Sequence, residues 1–157
     1  MTRQYDSRTL RTPVGMLRVT ASDDGVVAVD RVSRAGTKRG SAAARRHTER
    51  AARELREYFA GKRTNFTVSL DLKGTPFQQR AWAAMRKIPY GKTISYAQQA
   101  RSIRSPRAVR AVGSANGANP IPIIVPCHRV VASNGGLGGY ALGLAMKRWL
   151  LTHESRA

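Results

Sequence analysis

The chain has one cysteine in 157 residues. It can close no internal disulfide, and a lone free thiol fits a reducing compartment. Acidic residues are scarce as well: nine Asp and Glu stand against 28 Lys and Arg, a formal net charge of +19 at pH 7. No run approaches the roughly 20 consecutive apolar residues that span a bilayer, which excludes a transmembrane helix. The opening Met1-Thr2-Arg3-Gln4-Tyr5-Asp6 has no apolar signal-peptide core. The expected location is therefore the cytoplasm, in association with the nucleoid. Three histidines and the single cysteine fall at no metal-ligand spacing, so no metal and no cofactor is expected. No segment is repeated.

Apolar residues make up 41% of the chain, enough to bury a core, so this is no disordered basic tail. The length suits one compact domain or two small ones. The positive charge is mostly arginine and is densest at 34–50 and 101–110. Arginine offers a planar fork of donors that pairs with phosphate oxygens and stacks on bases. A solvated, solubilising surface is the plainer alternative. An excess of this size on so short a chain favours phosphate binding, with double-stranded DNA as the expected partner.

The chain changes character partway along. Val14 to Thr20, the turn Ser22-Asp23-Asp24-Gly25, and Val26 to Val32 predict a hairpin. Residues 33–42 predict a basic loop. From Ala43 to Ala60 the period is helical, with Ala51, Ala52, Leu55, Tyr58 and Phe59 on one face. Glu49 with Arg53, and Arg50 with Glu54, stand four apart on the predicted exposed face. Phe66 to Leu72 alternates like a strand. Residues 1–72 thus form an expected N-terminal α/β module, an antiparallel sheet plus a helix. Thr75-Pro76 then opens a helix, with Thr as N-cap, Pro at the first helical position and Phe77, Ala81, Ala84, Met85 and Ile88 on the buried face. Pro89-Tyr90-Gly91 breaks it. Ser95 with Gln98 predicts a capping box for a short helix to about Ser102. Ser105-Pro106 opens another, from Arg107 to about Asn116, ended by Asn116-Gly117. Two short helices joined by a three-residue turn predict a helix-turn-helix whose second helix meets DNA. After a Gly-rich 131–143, Gly143 to His153 predicts a closing helix. The class is α+β, with 73–157 as a mostly helical second domain.

The cysteine stands in Ile123-Ile124-Val125-Pro126-Cys127-His128-Arg129-Val130. An imidazole and an arginine beside a thiol can make a reactive thiolate, and the Pro-stiffened apolar run before it would hold the sulfur in a fixed, partly dry place. A soft nucleophile of this kind must be activated, because a free thiol ionises near pH 8.5. His128 is the obvious base, though on an extended strand its side chain would point away from that of Cys127.

The PCHRV run, the preceding NPIPIIVP, the TPFQQRAW helix start, the IPYGKTISY link and the RAVRAVGSANG helix together resemble the O6-alkylguanine-DNA alkyltransferases. The resemblance runs from about residue 9 to 155 and is sharpest from Gly74 to Val130. It implies repair by single, irreversible transfer of an alkyl group from guanine O6 in DNA to Cys127, after the nucleotide is rotated out of the stack. O4-alkylthymine stays open as a second substrate. A monomer is implied. By the same resemblance His128 acts on Cys127 through a bridging water, Glu154 orients the imidazole, Tyr96 donates to guanine N3, and Asn119 braces the helix-turn-helix against the active-site segment. Arg110 matches the intercalating arginine. Arg107, Ala108, Ser95 and Arg129 are assigned to the DNA contact. The flipped base would be walled by Tyr140, Val130, Pro122, Ser133, Gly138, Ala141 and Leu142. Leu142 stands where the family usually has glycine and is expected to narrow the entrance. Ala118 stands where a basic residue is frequent. A related non-catalytic damage sensor would lack Cys127. A plain helix-turn-helix protein would not account for Tyr96, His128 and Glu154 together. A cysteine hydrolase would give no reason for the charge.

Overall fold

A computed structural model of the chain describes residues 4–156, which form mixed α+β structure in two units, Met1–Lys73 and Gly74–Ala157. In the first, β1 (Asp6–Thr12), β2 (Gly15–Ala21), β3 (Val26–Arg31) and the short β4 (Thr37–Lys38) make an antiparallel sheet in the order β3-β2-β1-β4. Alternation decides which face is buried: Leu17, Val19 and Ala21 of β2 point inward while Arg18 is exposed. The predicted hairpin is thus the second half of a meander. β1 escaped the sequence reading because Arg8, Thr9 and Arg11 mask its single apolar Leu10. β4, inside the expected basic loop, is held only by pairing with β1.

Helix α1 (Ala42–Phe59) is capped by Ser41, whose hydroxyl accepts from Ala44 N at 3.1 Å. Ala44, Ala51, Ala52, Leu55 and Tyr58 are its buried apolar residues, and Phe59 is only half-buried. The predicted Arg50–Glu54 pair forms at 3.3 Å, but Glu54 is buried. Its carboxylate accepts from the backbone of Thr67 (2.9 Å) and Val68 (3.1 Å) and so anchors the segment after the helix. Burial alone would raise its pKa; the hydrogen bonds from Thr67, Val68 and Arg50 overcome that and hold it below the usual value. Glu49 pairs with Arg8 at 3.4 Å, not with Arg53.

Phe66 to Leu72 is not the strand its alternation predicts. Only a bridge forms, with Val26 N donating to Ser69 O (2.9 Å) and Asp71 N to Val26 O (2.8 Å). The segment passes so close to the β2–β3 turn that a Cβ on Gly25 would lie 2.6 Å from Ser69 O, and only glycine leaves room.

In the second unit α2 (Pro76–Arg86) begins with the full capping box of Thr75 and Gln78. β5 (Ile94–Ser95) leads into α3 (Tyr96–Ser102), and α4 (Val109–Gly117) follows. β6 (Val130–Val131) pairs in parallel with β5, and α5 (Leu144–Ser155) closes the unit. Six residues, not three, join α3 to α4. Ile103 is buried, Arg104 takes a left-handed φ of 59°, and Ala108 N closes a turn on Ser105 O at 2.9 Å. Ser105-Pro106 therefore forms a turn, and α4 starts two residues after the predicted Arg107. The two helices are locked by a reciprocal pair of buried amides: Gln99 Nε2 donates to Asn116 Oδ1 at 2.9 Å and Asn116 Nδ2 to Gln99 Oε1 at 2.7 Å. Trp82 of α2 ties in by donating Nε1–H to Ala115 O at 2.8 Å. Among the described residues no helix is long and apolar enough to cross a membrane.

Candidate active site and nucleic-acid interface

Cys127, His128 and Arg129 form one turn of 3-10 helix, not the extended strand that the prolines suggest. Successive side chains on such a turn diverge by about 120° rather than opposing each other. The turn is set up just upstream. Ile123 takes a φ of 74°, rare for a β-branched residue, and Val125 N donates to Ile121 O at 2.9 Å. Asn119 spans this loop: its amide donates to Val125 O and accepts from Ile121 N, both at 2.9 Å, and it acts to lower the pKa of the Cys127 thiol. A chain reversal held at both ends by one side chain fixes where the sulfur points.

Four charged or polar groups, His128, Arg129, Lys147 and Glu154, are buried around the thiol. His128 is fully buried, and its Nε2 lies 2.7 Å from Glu154 Oε2. A carboxylate can only accept, so Nε2 carries the proton and Nδ1 presents its lone pair. Nδ1 is buried and has no hydrogen-bond partner among the described residues, and the ring makes no direct hydrogen bond to the thiol. Arg129 turns inward, against the expectation of a DNA contact. It clasps Glu154 through Nε (2.8 Å) and Nη2 (3.1 Å) and donates Nη1–H to Ile88 O at 2.8 Å. A guanidinium that is 6% exposed, with each of its three nitrogens already donating inside the protein, is poorly placed to meet a phosphate. Its task here is to balance the Glu154 charge.

Lys147 is a buried charge that the sequence reading missed. It is fully buried, donates to Val130 O at 2.7 Å and Gly139 O at 2.9 Å, and sits 5.8 Å from the Tyr96 ring centre. The signal was present: Lys147 and Glu154 are seven residues apart, two turns along the same face of α5 as Leu150. Burial pushes the Cys127 thiol above its ordinary pKa, opposed by the Asn119 hydrogen bond and the Lys147 charge. Burial likewise pushes His128 down, against the pull of Glu154, while Arg129 and Lys147 push it further the same way. Burial lowers Lys147 as well, and Cys127 opposes that shift. At neutral pH the resting site is a thiol beside a neutral imidazole.

The sulfur opens into a cavity of about 380 Å³ lined by Tyr96, Arg110, Cys127, Tyr140 and Ala141, together with Gly139. One face of α4, carrying Val109, Gly113 and Gly117, forms the opposite wall, and the buried Asn116 reaches it too. Gly113, Asn116 and Gly117 were not foreseen, since small residues on a helix read equally well as packing. Tyr96 donates to Gly139 O at 3.4 Å, and a Cβ on Gly138 would lie 2.7 Å from the Tyr96 ring and hydroxyl. Only glycine, here at a φ of 73°, lets the loop lie so close to that ring. Several expected wall residues stand elsewhere. Val130 and Pro122 are buried, Ser133 is exposed, and Leu142 is half-buried and does not itself line the cavity. Ser95 spends its hydroxyl on the α3 cap, accepting from Gln98 N at 3.1 Å. Arg107 is exposed and Ala108 half-buried, both just before α4. A larger groove of about 530 Å³, lined by Ile88, Ile94 and Ile103 among others, contains none of the groups around the thiol.

Residues 76–156 match the family model described as 6-O-methylguanine DNA methyltransferase, DNA binding domain, and residues 7–72 match the one described as its ribonuclease-like domain. The chain is 43% identical over 151 residues to the methylated-DNA–protein-cysteine methyltransferase of Mycolicibacterium paratuberculosis, covering 95% of this chain and 92% of that one. It is 57% identical over 108 residues to the protein of the same name from Mycobacterium tuberculosis, covering 68% and 66%. The crystal structure of Mycobacterium tuberculosis OGT in complex with DNA matches with a TM-score of 0.84 at 42% identity, over 96% of this chain and 92% of that one.

Proposed function

Since the chain belongs to the 6-O-methylguanine DNA methyltransferase family, we propose that it repairs DNA by moving an alkyl group from guanine O6 to the sulfur of Cys127, once per molecule. The observation that carries this is a thiol at the wall of a cavity, backed by a neutral imidazole whose far nitrogen is 2.7 Å from a carboxylate. A base inside a duplex cannot reach such a thiol, so the nucleotide is rotated into the cavity. Arg110, exposed on α4 at the cavity wall, enters the stack in its place.

The thiol proton passes to His128 Nδ1 through one water, and Glu154 stabilises the imidazolium that forms. Lys147 and the Asn119 amide favour the thiolate that remains. That sulfur attacks the alkyl carbon from behind the C–O6 bond. A C–S bond forms, and the C–O6 electron pair returns to the purine. Tyr96 passes a proton to guanine N3 as the electron pair arrives, and the proton held on His128 returns through water to the Tyr96 oxygen, so that purine, tyrosine and imidazole all end neutral. The thioether has no route back to a thiol, which makes the event single. The protein works as a monomer on double-stranded DNA.

Incubation with duplex containing O6-methylguanine is expected to add one methyl mass to the peptide that holds Cys127, in step with loss of the lesion. Cys127→Ser should abolish transfer and leave duplex binding within about twofold. Lesion reversal with an unmodified Cys127 peptide would end the proposal.

A further inference from the structure

The first unit has a cleft of its own that the transfer chemistry leaves unused. It has a volume of about 440 Å³, and four guanidinium groups line it, those of Arg8, Arg39, Arg45 and Arg46, with Asp6 and Glu49 among them. The two carboxylates do not balance four cations. Asp6 is buried and spends its oxygens on Gly40 N, at 2.9 Å, and on the Thr48 hydroxyl. Among the described residues Glu49 pairs with Arg8, at 3.4 Å. Arg39, Arg45 and Arg46 have no carboxylate within ion-pair distance among the described residues.

Such a cluster costs stability in the free protein. Three unpaired guanidinium groups repel one another across one cleft. Arg45 and Arg46 also lie near the start of α1, where the helix dipole disfavours cations, and no acidic residue occupies its first turn. An anion removes both costs. Arginine in place of lysine suits a ligand with paired oxygens, because the planar fork meets two of them at once. Arg39 and Arg46 are exposed and Arg45 half-buried, so the cleft stands open to a bulky polyanion and does not enclose a small one.

We propose that this cleft binds the sugar-phosphate backbone of DNA, so that the first unit makes phosphate contacts of its own. The inference rests on DNA being the substrate. It is tested with Arg39→Gln, Arg45→Gln and Arg46→Gln combined, measuring affinity for a short unmodified duplex across a salt series. Each lost phosphate contact lowers the slope of log K against log salt by about 0.9, so losing three lowers it by about 2.7, with at least roughly tenfold weaker binding at physiological salt. A control triple variant, Arg31→Gln, Arg53→Gln and Arg56→Gln, removes the same charge from exposed positions outside the cleft and should leave the slope nearly unchanged. Equal falls in both triples would mean diffuse attraction and overturn the cleft, as would an unchanged slope in the first. The proposal also fails if pyrophosphate at constant ionic strength raises the Tm of the wild type but not of the first triple, with the DNA slope unaltered; the cleft would then serve a small anion. Because the slope is read on unmodified duplex, a chain that never alkylates Cys127 would sink the proposed function by a separate measurement.

Discussion

Lys147 shows how one buried charge can serve two tasks at the residue scale. Its ammonium favours the thiolate of Cys127 and pins the carbonyls of Val130 and Gly139, the second of which belongs to the cavity loop. Lys147→Met removes both at similar length. The thiol then loses a charge that opposes its upward shift, so its pKa rises further. The nucleophile is the deprotonated form. Transfer in the wild type should therefore quicken as pH rises through the ordinary thiol range, and the variant's profile should lie to the alkaline side of it. A rate loss of about tenfold or more at neutral pH, partly recovered at high pH, is expected in single-turnover assays. An equal loss at every pH would assign Lys147 to the loop alone. His128 contributes in the opposite sense. Its pKa is lowered on folding, so the stability it lends is present above the unfolded value, near 6.5, and drains away as pH falls through the folded one.

At the scale of elements, the α3–α4 pair positions the cavity wall, and its lock is polar. Gln99 and Asn116 satisfy each other, and Gln99 also donates to Ala81 O of α2 at 3.1 Å. Gln99→Leu keeps the volume but leaves the Asn116 amide unpaired inside the unit. The penalty for such an orphan is about 1–3 kcal/mol. Because Asn116 also reaches the cavity, duplex affinity should fall by more than the overall loss of stability explains. Thermal melts beside duplex titrations would measure it. A variant that melts lower but binds and transfers normally would show the amide pair to be packing alone.

Across the whole molecule the charge sets how the protein meets its substrate. An excess of 19 positive charges in 157 residues attracts any polyanion, so affinity for duplex should drop steeply with salt. A loss of at least about a hundredfold between roughly 50 and 200 mM salt is expected from several released counterions. Filter binding or anisotropy would read it directly, and a flat response would contradict the phosphate contacts. The charge is not uniform in purpose: Arg129 serves a buried carboxylate, Arg50 and Arg63 lie against Glu54, and Arg110 faces the cavity.

What the sequence determined by itself is whatever short-range chemistry carries. The caps of Thr75 and Ser95, the amphipathic α1, the breaks at Pro89-Tyr90-Gly91, and the thiol beside an imidazole all depend on neighbours within a turn or two. Phe66 to Leu72 alternated as a strand should, yet formed only a bridge, because pairing needs a partner edge that periodicity does not supply. The same holds for the site. Cys127, Tyr96, Arg110 and Tyr140 were legible as motif residues, but that they share one cavity follows from α3, α4 and the Gly-rich loop folding together. The tertiary structure alone turned Arg129 inward onto Glu154, buried Lys147 behind the sulfur, and left Leu142 out of the cavity lining. A charge or an apolar side chain has no orientation in sequence; it acquires one only when partners distant along the chain compete with water for it.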